Sequence, residues 1–408
     1  MHDIPRCSSG PAVGRFDVVV VGGCGHVGLP LALALADREL RVASYDINKI
    51  AVKEVMTGRL PFREDGAGEV LARVLGAGRY LATTDPHVAR SAPVVIMVIG
   101  TPVDEHLNPD PDAVPRALDE IAPYLADGQL LVLRSTVYPG VTRRVEQLLR
   151  KRGLDVEVAF CPERIAEGRA MEELFTLPQL VAARTPVTRA RAAELFSHLT
   201  DSIIELEPEE AELAKLFTNT WRYIKFAAAN QFYVMANDHG LDFERIRHAV
   251  TYDYPRAADL PGAGFAAGPC LFKDTMQLAA FSDNAFVLGH SAMLVNEGLP
   301  LYIVSRLEAA HDLANLTVGI LGTAFKAESD DTRSSLAYKL KRILQFRAAG
   351  VLTTDPFVTT DYSLVPLKAV LDRADLLIIA APHQQYASLA TSKPVVDVWN
   401  LLGRGVRV

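Results

Sequence analysis

Apolar residues along this chain gather into short runs, and segments of helical periodicity lie between them. The runs 16–21 (FDVVVV), 42–45, 94–99, 130–134, 156–160, 180–182 and 203–206 are short and almost wholly apolar, which predicts strands buried on both faces. A second series, 316–321, 351–353, 375–380 and 395–398, repeats the rhythm toward the end of the sequence. Helical stretches 29–36, 141–152 and 334–349 fall between strands; in the last, Leu336, Leu340 and Leu344 recur every fourth residue and form one apolar face. Such alternation predicts parallel sheets covered by helices, in two α/β domains.

Between the two series lies 211–240 (AELAKLFTNTWRYIKFAAANQFYVMANDHG), without proline or internal glycine and closed by Asp238-His239-Gly240, a helix-stop pattern. It predicts one helix of roughly 40 Å. Leu213, Leu216, Phe217, Ile224, Ala228, Tyr233 and Ala236 spread around its circumference, so the expectation is a helix buried between two bodies. Lys215 and Asn219, four apart, share a face. The predicted organisation is a disordered leader over 1–15, a nucleotide-binding domain over 16–206, a central helical region over 207–310 and a second nucleotide-binding domain over 311–408. The fold class is α/β: two Rossmann-like domains joined by a long central helix and a small helical domain.

The first domain carries a dinucleotide signature. After strand 16–21 comes GGCGHVGLP, in which Gly23, Gly25 and Gly28 form G-x-G-x-x-G ahead of a helix, with His26 and Val27 inside the pattern. The glycines permit a tight turn and close approach to a pyrophosphate, and the helix N-terminus offers N–H groups to it. The next strand ends at Asp46, a carboxylate for a ribose 2′-hydroxyl; it favours NAD over NADP because a 2′-phosphate would be repelled. Strands 94–99 and 130–134 lead into Thr101 and into Ser135-Thr136, small hydroxyl residues at strand ends. Strand 156–160 leads into Cys161-Pro162-Glu163-Arg164, which makes Glu163 a candidate carboxylate.

Cys270 follows a glycine-rich approach and precedes a helix predicted over 275–280, with Lys273 and Asp274 nearby. A helix N-terminus and a lysine both favour thiolate, so Cys270 is the candidate nucleophile. A nicotinamide site together with such a thiol suggests oxidation through a thiohemiacetal to a thioester, with Lys215 and Asn219 holding the negative oxygen and Glu163 aiding water. The second α/β domain lacks G-x-G-x-x-G, so a second NAD is not expected. Lys326 and Arg333 suit the diphosphate of a substrate instead.

Composition narrows the classes. Of 408 residues, 42 are basic and 49 acidic, net −7, with no basic block of the kind a nucleic-acid surface requires. The cysteines show neither CxxC spacing nor clustered histidines, so no metal site and no disulfide framework is expected, and a cytoplasmic setting is the simplest. No apolar run is long enough for a membrane span.

The ordered set GGCGHVGLP (22–30), STVYPG (135–140), CPERIAEG (161–168), AELAKLFTNT (211–220), GAGFAAGPCLFKD (262–274) and GTAFKAESDDTR (322–333) closely resembles the UDP-glucose/GDP-mannose dehydrogenase family, over about 16–408. The resemblance implies two successive NAD-dependent oxidations at C6 of a nucleotide sugar. In it, Cys270 carries the covalent intermediate, Asn219 stabilises the oxyanion, and Asp274 and Lys215 organise water and protons. Glu163 assists hydrolysis and Thr136 holds the water. It further implies substrate contacts from Arg164, Gly268, Lys273, Phe325, Lys326 and Arg333, and from Arg256 inserted by the partner of a homodimer, or larger assembly, built on the central helix. CPER and the Tyr254-Pro255-Arg256 turn resemble the branch acting on UDP-N-acetylmannosamine or UDP-N-acetylglucosamine; Lys273-Asp274 resembles the UDP-glucose branch. Two other readings share part of the pattern: a two-electron hydroxy-acid dehydrogenase, which needs no cysteine, and a non-catalytic NAD-binding scaffold.

Overall fold

The computed structural model describes residues 16–101, 103–104 and 109–408; the leader expected over 1–15 and part of the polar loop after Thr101 lie outside the described residues. The chain divides into two compact units, the first reaching to Lys215 and the second running from Leu216 to Val408.

The first unit is built on an eight-stranded sheet: β1 (Val18–Val21), β2 (Val42–Tyr45), β3 (Tyr80–Thr83), β4 (Val94–Met97), β5 (Leu130–Leu133), β6 (Glu157–Phe160), β7 (Gln179–Ala183) and β8 (Ile203–Leu206). Their order is β3-β2-β1-β4-β5-β6-β7-β8. All neighbours are parallel except β6 and β7. Valines at every position of β1 are buried, as a strand covered on both faces demands. The helix Gly28–Asp37 behind β1 is apolar on all sides, with Leu29, Leu31, Leu33 and Leu35 fully enclosed. Each such leucine contributes about 1.5–3 kcal/mol of burial. Strand order reverses between β1 and β4, and the crevice at the carboxyl ends of strands flanking such a switch is where a sheet of this kind takes its ligand. Among the described strands, β3 is the one that the apolar runs did not predict; its Tyr-Leu-Ala-Thr alternates and lies at the sheet edge.

The second unit contains a four-stranded parallel sheet: β9 (Thr317–Leu321), β10 (Gly350–Thr354), β11 (Leu376–Ile379) and β12 (Val395–Val396), ordered β10-β9-β11-β12. Around it lie most of the helix Pro208–Asp238, a second long helix, Val287–Ala310, and the shorter Phe243–Thr251 and Leu271–Phe281. Gly289, Gly298 and Pro300 hide the Val287–Ala310 helix from sequence inspection, although it is continuous.

The helix Pro208–Asp238 has 31 residues, about 46 Å at ~1.5 Å per residue. Leu216, Tyr223 and Tyr233 are enclosed, but Phe217 (53% exposed), Trp221 (57%), Phe232 and Met235 form an open apolar stripe. The unit boundary falls within this helix, after Lys215.

Candidate active site

In the first unit the parallel strands β1, β2, β4, β5 and β6 bring their carboxyl ends to one edge. Gly22 turns the chain there with φ +75°, and a Cβ on Gly28 would lie 2.2 Å from the Gly22 carbonyl oxygen, so helix and turn meet with no room for a side chain. Gly23 is pressed equally close against Ser44, whereas a Cβ on Gly25 would touch nothing closer than 3.8 Å. The face at Gly25 is therefore open to a ligand. Val27 provides no side-chain cap, so the N–H groups of that helix start are not taken by a capping side chain. Asp46 accepts from Cys24 N at 2.9 Å and from Asn48 N at 2.9 Å, which aims the half-buried carboxylate at the loop. His26 stacks on Phe62 with ring centroids 4.1 Å apart. Cys24 is buried, and burial followed by the charge of Asp46 pushes its thiol up to about 12, which suits a space-filler. These features fit a dinucleotide: a glycine cradle, helix N–H groups for the pyrophosphate, and Asp46 for the ribose.

Thr101 Oγ1 donates to the Thr136 carbonyl at 2.6 Å, joining two strand ends on this edge. Glu163, after β6, is held at both oxygens. Oε2 accepts from Arg134 Nη2 at 2.5 Å; Oε1 accepts from the N–H groups of Arg164 and Ile165 at 2.7 and 3.1 Å. Arg134, fully buried, also donates to the Cys161 carbonyl. Arg164 turns its guanidinium to the Pro178 carbonyl.

Glu212 and Arg134 are site residues that sequence reading missed. Glu212, 1% exposed, reaches from the long helix to accept from Gly140 N (2.7 Å), Thr142 N (2.8 Å) and Thr142 Oγ1 (2.6 Å), capping the helix Val141–Lys151. It thereby ties the long helix to the loop that carries Thr136. Lys215 lies one turn further along and is buried. The available signals were a charged residue ending an uninterrupted apolar strand, for Arg134, and a glutamate one turn ahead of a candidate lysine.

In the second unit the helix after the glycine-rich loop starts at Leu271, not at 275; Cys270 is its N-cap residue, and Asp274 N donates to the Cys270 carbonyl at 2.9 Å to close the first turn. The preceding Gly-Pro and the charged Lys273-Asp274 pair mask this earlier start. Cys270 is exposed, whereas Cys24 and Cys161 are buried. Asp274 is buried beneath the first turn: its Oδ2 accepts from Asn219 Nδ2 at 2.5 Å, and Lys273 Nζ lies 2.6 Å from Oδ1. One carboxylate thus fixes an amide and an ammonium, and Asn219 retains a second N–H. Lys273 gives much of its charge to Asp274, so the thiol's helix N-terminus is the more direct of the two expected influences.

The loop 322–333 packs against the cysteine loop. Gly268 (φ +100°) meets the Phe325 ring so closely that a Cβ would lie 2.5 Å from it, and Gly268 N donates to the Ser334 carbonyl. Lys326 Nζ stands 5.7 Å from the centre of the Phe325 ring. Arg333 is half exposed and paired with Asp331, at 2.6 Å. Arg256 is exposed with its guanidinium over Tyr254, 5.6 Å from the ring centre; it is Lys225, not Arg256, that pairs with Asp259. Asp397 caps the final turn through Trp399 N and Leu402 N, as a strand-end aspartate is expected to. Asp355 does more than cap.

Comparison with known proteins covers nearly all of this architecture. The chain matches the UDP-glucose/GDP-mannose dehydrogenase family at its NAD binding domain over residues 17–200, its central domain over 209–297 and its UDP binding domain over 319–404. A UDP-N-acetyl-D-mannosamine dehydrogenase of Pyrococcus horikoshii is 30% identical over 402 residues, 95% of this chain and 93% of that protein. An NDP-N-acetyl-D-galactosaminuronic acid dehydrogenase of Ralstonia nicotianae is 28% identical, over 94% and 95%. Among solved structures, a UDP-glucose dehydrogenase from the archaeon Pyrobaculum islandicum superposes with a TM-score of 0.87 at 28% identity, covering 97% and 96%. With the glycine cradle, the exposed cysteine and all three domains present in order, this chain belongs to the UDP-glucose/GDP-mannose dehydrogenase family of NAD-dependent oxidoreductases.

Proposed function

We propose that the protein oxidises the C6 alcohol of a UDP-N-acetylhexosamine, mannosamine or glucosamine, to the carboxylate in two steps, with Cys270 carrying the intermediate covalently. The observation that supports this most is the exposed thiol at a helix N-terminus, above a buried carboxylate bridged to Asn219 and Lys273. An alcohol dehydrogenase that stops at the aldehyde needs no such nucleophile. Nicotinamide, when bound, accepts one hydride in each oxidation.

Once C6 is an aldehyde, the Cys270 thiolate adds to its carbon, and the carbonyl electron pair becomes an alkoxide held by N–H groups of Asn219 and Lys215. Loss of the second hydride from C6 leaves a thioester. Water then adds, the C–S bond breaks, the thiolate departs, and the carboxylate is released with two protons, both drawn from the water. Asp274 keeps Asn219 and Lys273 oriented and, with Lys215, manages these proton transfers. Thr136 holds the attacking water and Glu163, fixed by its three bonds, assists it. Lys326 and Arg333 take the diphosphate, and Arg256, supplied by a partner subunit, contacts the sugar. The acetamido assignment is supported by CPER and by the names of the curated relatives.

The open stripe of Phe217, Trp221, Phe232 and Met235 supports a homodimer through the long helix. Trp221→Glu should convert a dimer to a monomer in sedimentation equilibrium; a wild-type monomer would remove the partner role of Arg256.

The decisive assay counts NADH per sugar across UDP-N-acetylmannosamine, UDP-N-acetylglucosamine, UDP-glucose and GDP-mannose, with wild type and Cys270→Ser. Two NADH per acetamido sugar are expected, and turnover lost by at least about 1000-fold in the serine variant with NAD affinity little changed. One NADH with aldehyde accumulating would overturn the covalent route. Preference for UDP-glucose would overturn the sugar.

A further inference from the structure

The loop 322–333 begins where β9 ends and carries Lys326 and Arg333, yet no helix stiffens it until Leu336. Its shape is set elsewhere. Asp355, at the end of β10, has its carboxylate wholly enclosed and accepts on Oδ2 from Thr323 N (2.6 Å) and Ala324 N (3.0 Å), and on Oδ1 from Phe357 N and Val358 N. His383, after β11, is also wholly buried, with its Nε2 3.1 Å from Asp355 Oδ2. Its other nitrogen, Nδ1, accepts the backbone N–H of Glu328 at 3.0 Å. An imidazole that accepts at Nδ1 carries its proton on Nε2, so the ring is neutral and donates to Asp355. Glu328 is in the left-handed region, φ +56°, which a side-chain-bearing residue adopts only when held. It is held twice, because Glu328 Oε1 also accepts from Gln384 N at 2.8 Å.

We propose that His383 and Asp355 are positioning residues of the nucleotide-sugar loop. Asp355 clamps its first residues, His383 clamps its strained midpoint, and the bond between them makes the two clamps one unit. The loop then presents Lys326 and Arg333 in register and seats Phe325 against Gly268, two residues before Cys270. This rests on the reading of Lys326 and Arg333 as ligands of the diphosphate. Neither member of the pair touches the reacting atoms; they act through the loop.

Asparagine and glutamine separate the two bonds of His383. An asparagine carboxamide overlays the Nδ1 side of the ring and keeps an acceptor for Glu328 N; a glutamine overlays the Nε2 side and keeps a donor for Asp355. The Glu328 bond holds the strained residue, so His383→Gln is expected to weaken UDP binding by roughly 10-fold and His383→Asn by only about 2- to 3-fold. The probe is UDP, titrated calorimetrically into the full chain, with NAD affinity and Tm measured on the same samples and Lys326→Ala as control. NAD affinity should stay within about twofold in all three variants, which a general loss of folding would not allow. Wild-type UDP affinity in His383→Gln, or the reverse order of the two variants, alongside weakened binding in Lys326→Ala overturns the positioning role. Unchanged UDP affinity in Lys326→Ala overturns instead the assignment of the diphosphate ligand.

Discussion

The two sheets solve the same connection in opposite ways. In each, the first strand ends in a glycine of positive φ, Gly22 after β1 and Gly322 after β9, and the neighbouring strand ends in an aspartate, Asp46 after β2 and Asp355 after β10. In each, that aspartate accepts backbone N–H groups from the loop: Cys24 in the first unit, Thr323 and Ala324 in the second. The loops then diverge. The first enters its helix at once, at Gly28, and its carboxylate stays half exposed. The second delays its helix to Leu336, and His383 covers its carboxylate completely. A carboxylate at this position can serve a ligand or serve its own loop; what lies over it decides which. On the proposed function, the helix N-terminus and glycine backbone are the ligand surface in the first unit, and the side chains on a braced loop take that part in the second.

The largest effect that tests this contrast is at Gly28. Gly28→Val places carbon where the Gly22 carbonyl already stands, and NAD affinity should fall by at least about 100-fold, while UDP affinity stays within about twofold. Equal loss of both ligands, by calorimetry, would deny that the two sites are separate. A smaller effect is expected at Asp46. Asp46→Asn should weaken NAD about 10-fold and narrow the preference against NADP, since the repulsion of a 2′-phosphate is gone. Unaltered NAD and NADP kinetics would show that this carboxylate, like Asp355, serves only its loop.

The smallest effect is on stability with pH. Burial alone would raise the Asp355 carboxyl, but the hydrogen bond from His383 and those from the backbone N–H groups more than reverse this and hold it below its ordinary value. Its folded-state value is below the ordinary ~3.9, so its stabilisation is complete above that range and is lost as pH falls through the folded value. The Tm gap between wild type and Asp355→Asn should therefore be widest near about pH 6 and shrink as pH falls below about 4. A gap independent of pH would show that the carboxylate's charge is not what the loop uses.

Local chemistry made much of this molecule legible in advance. Short apolar runs locate eleven of the twelve described strands, most of them covered on both faces and so without polar alternation to obscure them, and edge strand β3 escaped because it has such alternation. The glycine spacing, Asp46 and the exposed Cys270 were equally readable, since turn geometry and helix N-termini depend on residues close in sequence. Asn219 and Lys215 could be placed on one helix face. What they touch could not. The bond from Asn219 to Asp274, the Arg134–Glu163 pair, the Glu212 cap on Gly140 and the clamp of His383 on Glu328 each join residues distant in the chain. Buried polar groups must find partners, and folding chooses which of many donors arrives, so only the tertiary structure decided them. It also decided that the long helix leaves Phe217 and Trp221 uncovered, because an apolar circumference tells what a helix can bury, while the neighbours that pack on it determine what it does bury.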